Sequence, residues 1–136
     1  MKFNEARKII EATKKFQQVL DEMVTVMGVE AQNHSVKAFR DQGFTDETLE
    51  KWKPRKRPER GRQRAILVKT GRLRRSIRKV KFGQYSVKVV SDVPYARRHS
   101  EGLDRMPKRQ IMGYSGVMER KIMNRFHPII RKAWEN

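Results

Sequence analysis

The sequence predicts an α+β fold: a long N-terminal helix and a C-terminal helix packed on a small antiparallel sheet, with a basic loop inserted between them. Three observations predict it. An apolar stripe of helical period runs through the first forty residues, two strand-like segments flank Gly83-Gln84, and a second helical stripe follows Ser115. With 136 residues the chain has the size of one domain with one modest core.

The first helix spans about Asn4 to Arg40. Ile9, Thr13, Phe16, Leu20, Met23 and Met27 follow one another in steps of 4, 3, 4, 3 and 4, which places them on one helical face. Such a stripe reads as a core face, with a partner-helix face as the alternative. Asn4 fits an N-cap and Glu5 suits the first turn. Gly28 is a point of interruption, after which His34, Val36 and Phe39 continue the pattern. Gly43 closes the region. Thr45 to Trp52 then reads as a short capped turn of helix with Thr48 where a capping box wants Glu, and Trp52 as an anchor on the core.

Lys51–Arg64 holds eight basic residues and one acid, Glu59. Pro54, Pro58 and Gly61 break regular structure and like charges repel, so the segment reads as a mobile loop. A solvated linker is one reading. The other is an arm that orders against an anionic partner through Arg55, Lys56, Arg57, Arg60, Arg62 and Arg64.

Thr70 next caps a short helix that buries Leu73 and Ile77, four residues apart. Val80 and Phe82, then Tyr85, Val87 and Val89, alternate with polar residues around Gly83-Gln84, as a hairpin does. Asp92 caps a helical turn that begins at Val93-Pro94-Tyr95 and stops at Gly102. Arg105 to Gly113 is a further edge strand, limited by Pro107. Ser115 caps the last helix, whose stripe is Val117 or Met118, Ile122, Phe126, Ile129, Ile130 and Trp134, with Pro128 as a kink.

Composition narrows the function. The chain lacks cysteine, so disulfides and thiolate metal sites are excluded. His34, His99 and His127 have no paired spacing for zinc. No apolar run reaches the ~20 residues of a membrane span. The start, MKFNEARKII, carries charge where a signal peptide needs an apolar stretch, which points to the cytoplasm. The formal charge is +18 and lies unevenly: residues 1–50 carry −2 and residues 51–136 carry +20. A field of that sign attracts nucleic acid, an anionic membrane or an acidic protein surface.

Catalytic patterns are sparse. There is no phosphate-binding loop and no nucleophile elbow, and Asp92, Glu101 and Asp104 are the only acids of the basic half placed to meet as a metal site. Asp92 is already used as a cap in this reading. Tyr95 and His99, one turn apart, could serve a metal-free ribonuclease. The plainer reading has them packing and hydrogen-bonding across the sheet. The basic segment Lys69–Lys81 contains no aromatic residue, so any nucleic-acid contact is expected to be with phosphate and without sequence choice. No enzyme activity, metal or cofactor is expected.

An ordered set of motifs carries a resemblance. Trp52 and Pro54 precede Ile66-Leu67, then Thr70-Gly71, Leu73 and Ser76-Ile77; a hairpin follows, then Tyr95-Ala96, His99 and Gly102, and finally Arg109, Ile111 and Gly113. Over about residues 45–115 this resembles the virion morphogenesis (tail-completion) family of Mu-like and P2-like tailed phages. Two departures stand out: Ile111-Met112 where the family often has Phe, and an unusually basic loop after Trp52. The resemblance implies a structural factor of the virion, acting at tail completion or head–tail joining. It further implies a ring-forming homo-oligomer, other neck and tail proteins as partners, and a place in the virion after assembly in the host cytoplasm. A ring around a DNA passage would suit the basic half, as would docking on an acidic neighbouring ring. An acidic first half and a basic second half also suit the head-to-tail contact that closes rings.

Overall fold

The computed structural model describes residues 3–57, 59–61 and 63–135, and the expectations for Pro58 and Arg62 fall outside them. The architecture is α+β. Helix α1 (Phe3–Asp41) leads into a short hairpin, β1 (Gly43–Thr45) and β2 (Leu49–Lys51). After the basic loop come α2 (Arg72–Ser76), the hairpin β3 (Arg78–Phe82) and β4 (Ser86–Val90), α3 (Ala96–Glu101) and α4 (Gly116–Trp134). The strands form two separate antiparallel pairs, β1–β2 and β3–β4. In the second, Arg78 lies opposite Val90 and Phe82 opposite Ser86, around a turn that starts at Gly83.

Helix α1 is the spine. It packs against α4, both strands of the second hairpin, and β1. Gly28 does not interrupt it. A Cβ there would meet Val87 Cγ2 at 2.9 Å, so the glycine lets the β3–β4 hairpin lie close against the helix. Asn4 falls inside α1 rather than capping it.

The apolar stripe of α1 departs from its core reading. Ile9 and Phe16 are 57% and 51% exposed, and from Phe3 to Lys14 every residue except Ala6 is exposed. The buried positions begin at Val24 and run through Val26, His34, Ser35 and Ala38 to Phe39. The hairpin's turn reaches α1 at Gln17, which accepts from Tyr85 Oη at 2.9 Å, and Lys81 pairs with Asp21. Among the described residues, none buries Ile9 or Phe16 at the start of the stripe. At the other end of the chain, Trp134 and Ile130 of α4 are also exposed, whereas Phe126 and Ala133 are buried.

The core joins Phe39 and Ala38 of α1 to Trp52, Leu73, Ile77, Val93, Ala96 and Ile111. Trp52 is the anchor expected, meeting Phe39 edge-on at 5.5 Å between ring centroids. The segment before it is not helical. Thr45 to Leu49 is the bend of the β1–β2 hairpin, because its polar groups are engaged elsewhere. His34 Nε2 lies 2.9 Å from the Thr45 carbonyl, and Asp46 accepts the Gly116 N–H at 2.8 Å and the Val117 N–H at 3.2 Å. Asp46 thus helps cap α4 beside Ser115, whose hydroxyl accepts the Met118 N–H as expected. Pro128 lies within α4 without ending it.

Three further expectations change. Residues 105–113 form no strand: the Arg109 N–H goes to the His99 carbonyl and the Ile111 N–H to Ser100 Oγ, so this segment follows α3. Asp92 does not cap α3 but pairs with Arg78 at 3.6 Å. At α2 the capping position is Gly71, in a left-handed conformation (φ 70°) that disfavours a side chain, while Thr70 Oγ1 accepts the Arg72 N–H.

Leu73 is 3% exposed at the centre of this core. Leu73→Ala should therefore destabilise the fold by about 2–5 kcal/mol, whereas Phe16→Ala should change it by less than ~0.5 kcal/mol. Paired urea titrations measure both; equal effects would contradict this division of the apolar residues.

Candidate functional site

The two motif blocks meet at one place. A pocket of about 460 Å³ lies between the turn before α2 and the outer face of α3. Its walls are Ile66, Leu67 and Leu73, with Thr70 and Gly71 at one side and Tyr95 and His99 at the other. Arg55, Lys69, Arg72 and Arg109 bring four cations to it, against one acid, Glu59.

Arg109 is the least expected of these side chains. It is 7% exposed, and among the described residues no carboxylate lies within 4 Å of its guanidinium. It donates instead to main-chain carbonyls, from Nε to Lys53 at 3.0 Å and from Nη2 to Pro54 at 3.3 Å. Burial, and after it the charge of Arg55, pull its pKa below the ordinary guanidinium value.

His99 stands beside it. Burial, then the positive charge of Arg109, lower the imidazole pKa, so the ring is neutral at pH 7. Its Nδ1 is buried and has no hydrogen-bond partner among the described residues. Tyr95 packs edge-on against the ring at 5.9 Å between centroids. The packing half of the plainer reading of this pair holds; the cross-sheet hydrogen bond does not form. Tyr95 is also 38% exposed, at the pocket rim rather than in the core.

The other motif residues are framework. Trp52 Nε1 donates to the Gln110 carbonyl at 2.9 Å. Ser76 Oγ lies 2.6 Å from Ser91 Oγ, tying α2 to the end of the second hairpin. Ile77 and Ala96 are buried. Gly102 ends α3 with φ 72°, and a Cβ there would lie within 3.0 Å of the Lys108 main chain. Gly113 has φ 145°. Gln42, which carried no sequence signal, holds the loop end: its side-chain amide accepts the Ile66 N–H at 2.6 Å and donates to the Ile66 carbonyl at 3.2 Å.

The basic loop divides into two kinds of residue. Arg55 is a clamp, donating to the carbonyls of Arg64 at 2.7 Å and Ala65 at 3.0 Å. Lys56, Arg57, Arg60 and Arg64 are exposed. Arg62 lies outside the described residues. The three acids considered for a metal site each take a separate arginine: Asp92 with Arg78, Glu101 with Arg97, Asp104 with Arg98. Among the described residues no three His, Asp or Glu side chains group as a metal site, and no helix is long and apolar enough to cross a membrane.

The family model of the phage virion morphogenesis family matches residues 2–130, and the chain belongs to that family. Neither the comparison with curated proteins nor that with solved structures gives a match.

Buried His34 and half-buried His99 set a pH dependence. Burial lowers the pKa of both His34 and His99. Below about pH 6.5, the ordinary imidazole value, the unfolded chain binds protons that the folded chain refuses. Their contribution is therefore complete above that pH and is lost as pH falls below it. The melting temperature should drop as pH falls below about 6.5, and the drop should be smaller in His34→Gln/His99→Gln. An unchanged slope in the double variant would place the proton uptake elsewhere.

Proposed function

We propose that this member of the phage virion morphogenesis family is a non-catalytic subunit that completes the tail or joins it to the head, acting as one copy in a ring. The observation that carries the reading is the distribution of unsatisfied surface. The start of α1 exposes Phe3, Ile9, Ile10 and Phe16, which none of the described residues buries. Exposed apolar faces of this kind mark surfaces that a partner covers. The basic half offers Lys56, Arg57 and Arg60 to an anionic neighbour. Other neck and tail proteins are the partners of this reading, with the host cytoplasm as the place of assembly.

The charge of +18 favours a second reading, a basic nucleic-acid-binding accessory protein. Charge alone produces weak, salt-sensitive DNA binding whatever the role. DNA affinity should show no sequence preference and become negligible near physiological salt. Sequence-selective binding at that salt would bring the second reading forward. Purified protein should cleave neither DNA nor RNA with Mg²⁺ or Mn²⁺; turnover abolished by His99→Ala would overturn the non-catalytic reading.

Assembly is tested through the loop. Lys56→Gln/Arg57→Gln/Arg60→Gln removes exposed charge and leaves the Arg55 clamp in place. The variant should melt like the parent but lower the complementation titre, with unjoined or unstable heads and tails under the electron microscope. A normal titre and intact particles would make the loop a solvated linker.

A further inference from the structure

We propose that the pocket between the Thr70–Leu73 turn and α3 is a receptor for a protein carboxylate: an aspartate or glutamate side chain flanked by apolar residues, on a segment of a neighbouring assembly protein. Arg109 brings to the pocket a charge that none of the described residues neutralises. Arg109 is nine-tenths buried, yet its two hydrogen bonds go to neutral carbonyls, and among the described residues none accepts from its Nη1. A guanidinium has five N–H donors, and a carboxylate is the planar acceptor that matches its fork. A buried cation without a counter-ion is destabilising, and the arrangement makes sense where a partner supplies one.

The neighbouring groups point the same way. Arg55 lies close enough to lower the Arg109 pKa by repulsion, so two guanidinium groups share the site. Lys69 and Arg72 are exposed at the rim, where they would draw an anion inward. Glu59 approaches Arg55 only to 3.9 Å and leaves the four cations in excess. His99 also lines the pocket, and a carboxylate there would favour its protonated form.

Shape separates a protein carboxylate from a nucleic-acid phosphate. The walls beside the cations are the aliphatic side chains of Ile66, Leu67 and Leu73, which suit the apolar neighbours of an acidic residue. Tyr95 is the one tyrosine, phenylalanine or tryptophan in the lining, so a strand of bases has little to stack on. A duplex phosphate sits on a broad cylinder and would meet the exposed loop residues before a buried floor.

The test is an NMR titration of the full chain with acetyl-Leu-Glu-Ile amide and with its Gln counterpart. The acidic peptide should give saturable shifts at Thr70, Gly71, His99 and Arg109 and raise the His99 pKa. The Gln peptide should bind about tenfold more weakly. Arg109→Gln should abolish the shifts, but it also frees the Lys53 and Pro54 carbonyls and can unfold the chain. The rim pair Lys69→Gln/Arg72→Gln leaves those bonds intact and should weaken the acidic peptide about two- to fivefold. Absence of saturable shifts, or equal binding of the two peptides, would overturn the proposal. So would stronger binding of inorganic phosphate or of an oligo-dT strand at the same residues. Only the identity of the partner rests on the assembly reading: a failed peptide titration beside an intact loop-variant titre defect would remove the pocket and leave that reading standing.

Discussion

Main chain that crosses the core without joining a ladder is the constraint on which this fold depends. The segment after Trp52 and the one around Ile111 pair with no strand, although Trp52 and Ile111 are buried. Their polar groups still need partners. Side chains supply them: Trp52 Nε1 takes the Gln110 carbonyl, and Arg109 takes the carbonyls of Lys53 and Pro54. Gln42 does the same for Ile66, and the Trp52 N–H reaches the Gln42 carbonyl at 2.8 Å. These cross-links join the end of α1, the start of the basic loop, the entry to α2 and the segment after α3. Removing one leaves an acceptor without its donor, so they act as a set.

The pocket follows from the same bonds. Arg109 must be buried to reach the carbonyls of the loop, and its charge comes with it. The fold therefore places a cation at the base of a cleft framed by the two motif blocks. The long helix has the opposite character. Its last half is held by hairpins and by α4, with Arg125 and Glu30 paired at 2.7 Å, while Phe3, Ile9 and Ile10 at its start are exposed. A packed body with exposed apolar residues at the start of its long helix fits an assembly role, consistent with membership of the virion morphogenesis family.

Much of this was legible in the sequence, and the misses have physical reasons. The helical period of α1 and α4, the Ser115 cap, the Gly102 stop and the second hairpin are local signals, and all are present. Periodicity reports which residues share a face, but not what lies against that face, so the Ile9–Phe16 stripe was readable as core when it is surface. Thr45–Trp52 looked like a capped helix because Thr and Asp favour both caps and turns; Asp46 caps α4 instead, seventy residues away in sequence. The strand expected at 105–113 failed because its donors go to α3, which no local pattern records. Of the site, Thr70, Leu73, Tyr95, His99 and Arg109 were singled out as motif residues, and the structure gathers them around one pocket. The burial of Arg109 and the role of Gln42 had no local signature.

A member of the virion morphogenesis family should work as a stoichiometric part of the particle rather than as a catalyst. In vitro complementation measures this directly. Purified protein is added in graded amounts to a lysate that lacks it, and infectious titre is followed together with the protein retained on gradient-purified particles. Titre should rise in proportion to added protein and saturate at several copies per particle, and those copies should stay bound. Full recovery at far less than one copy per particle, with none retained, would contradict it.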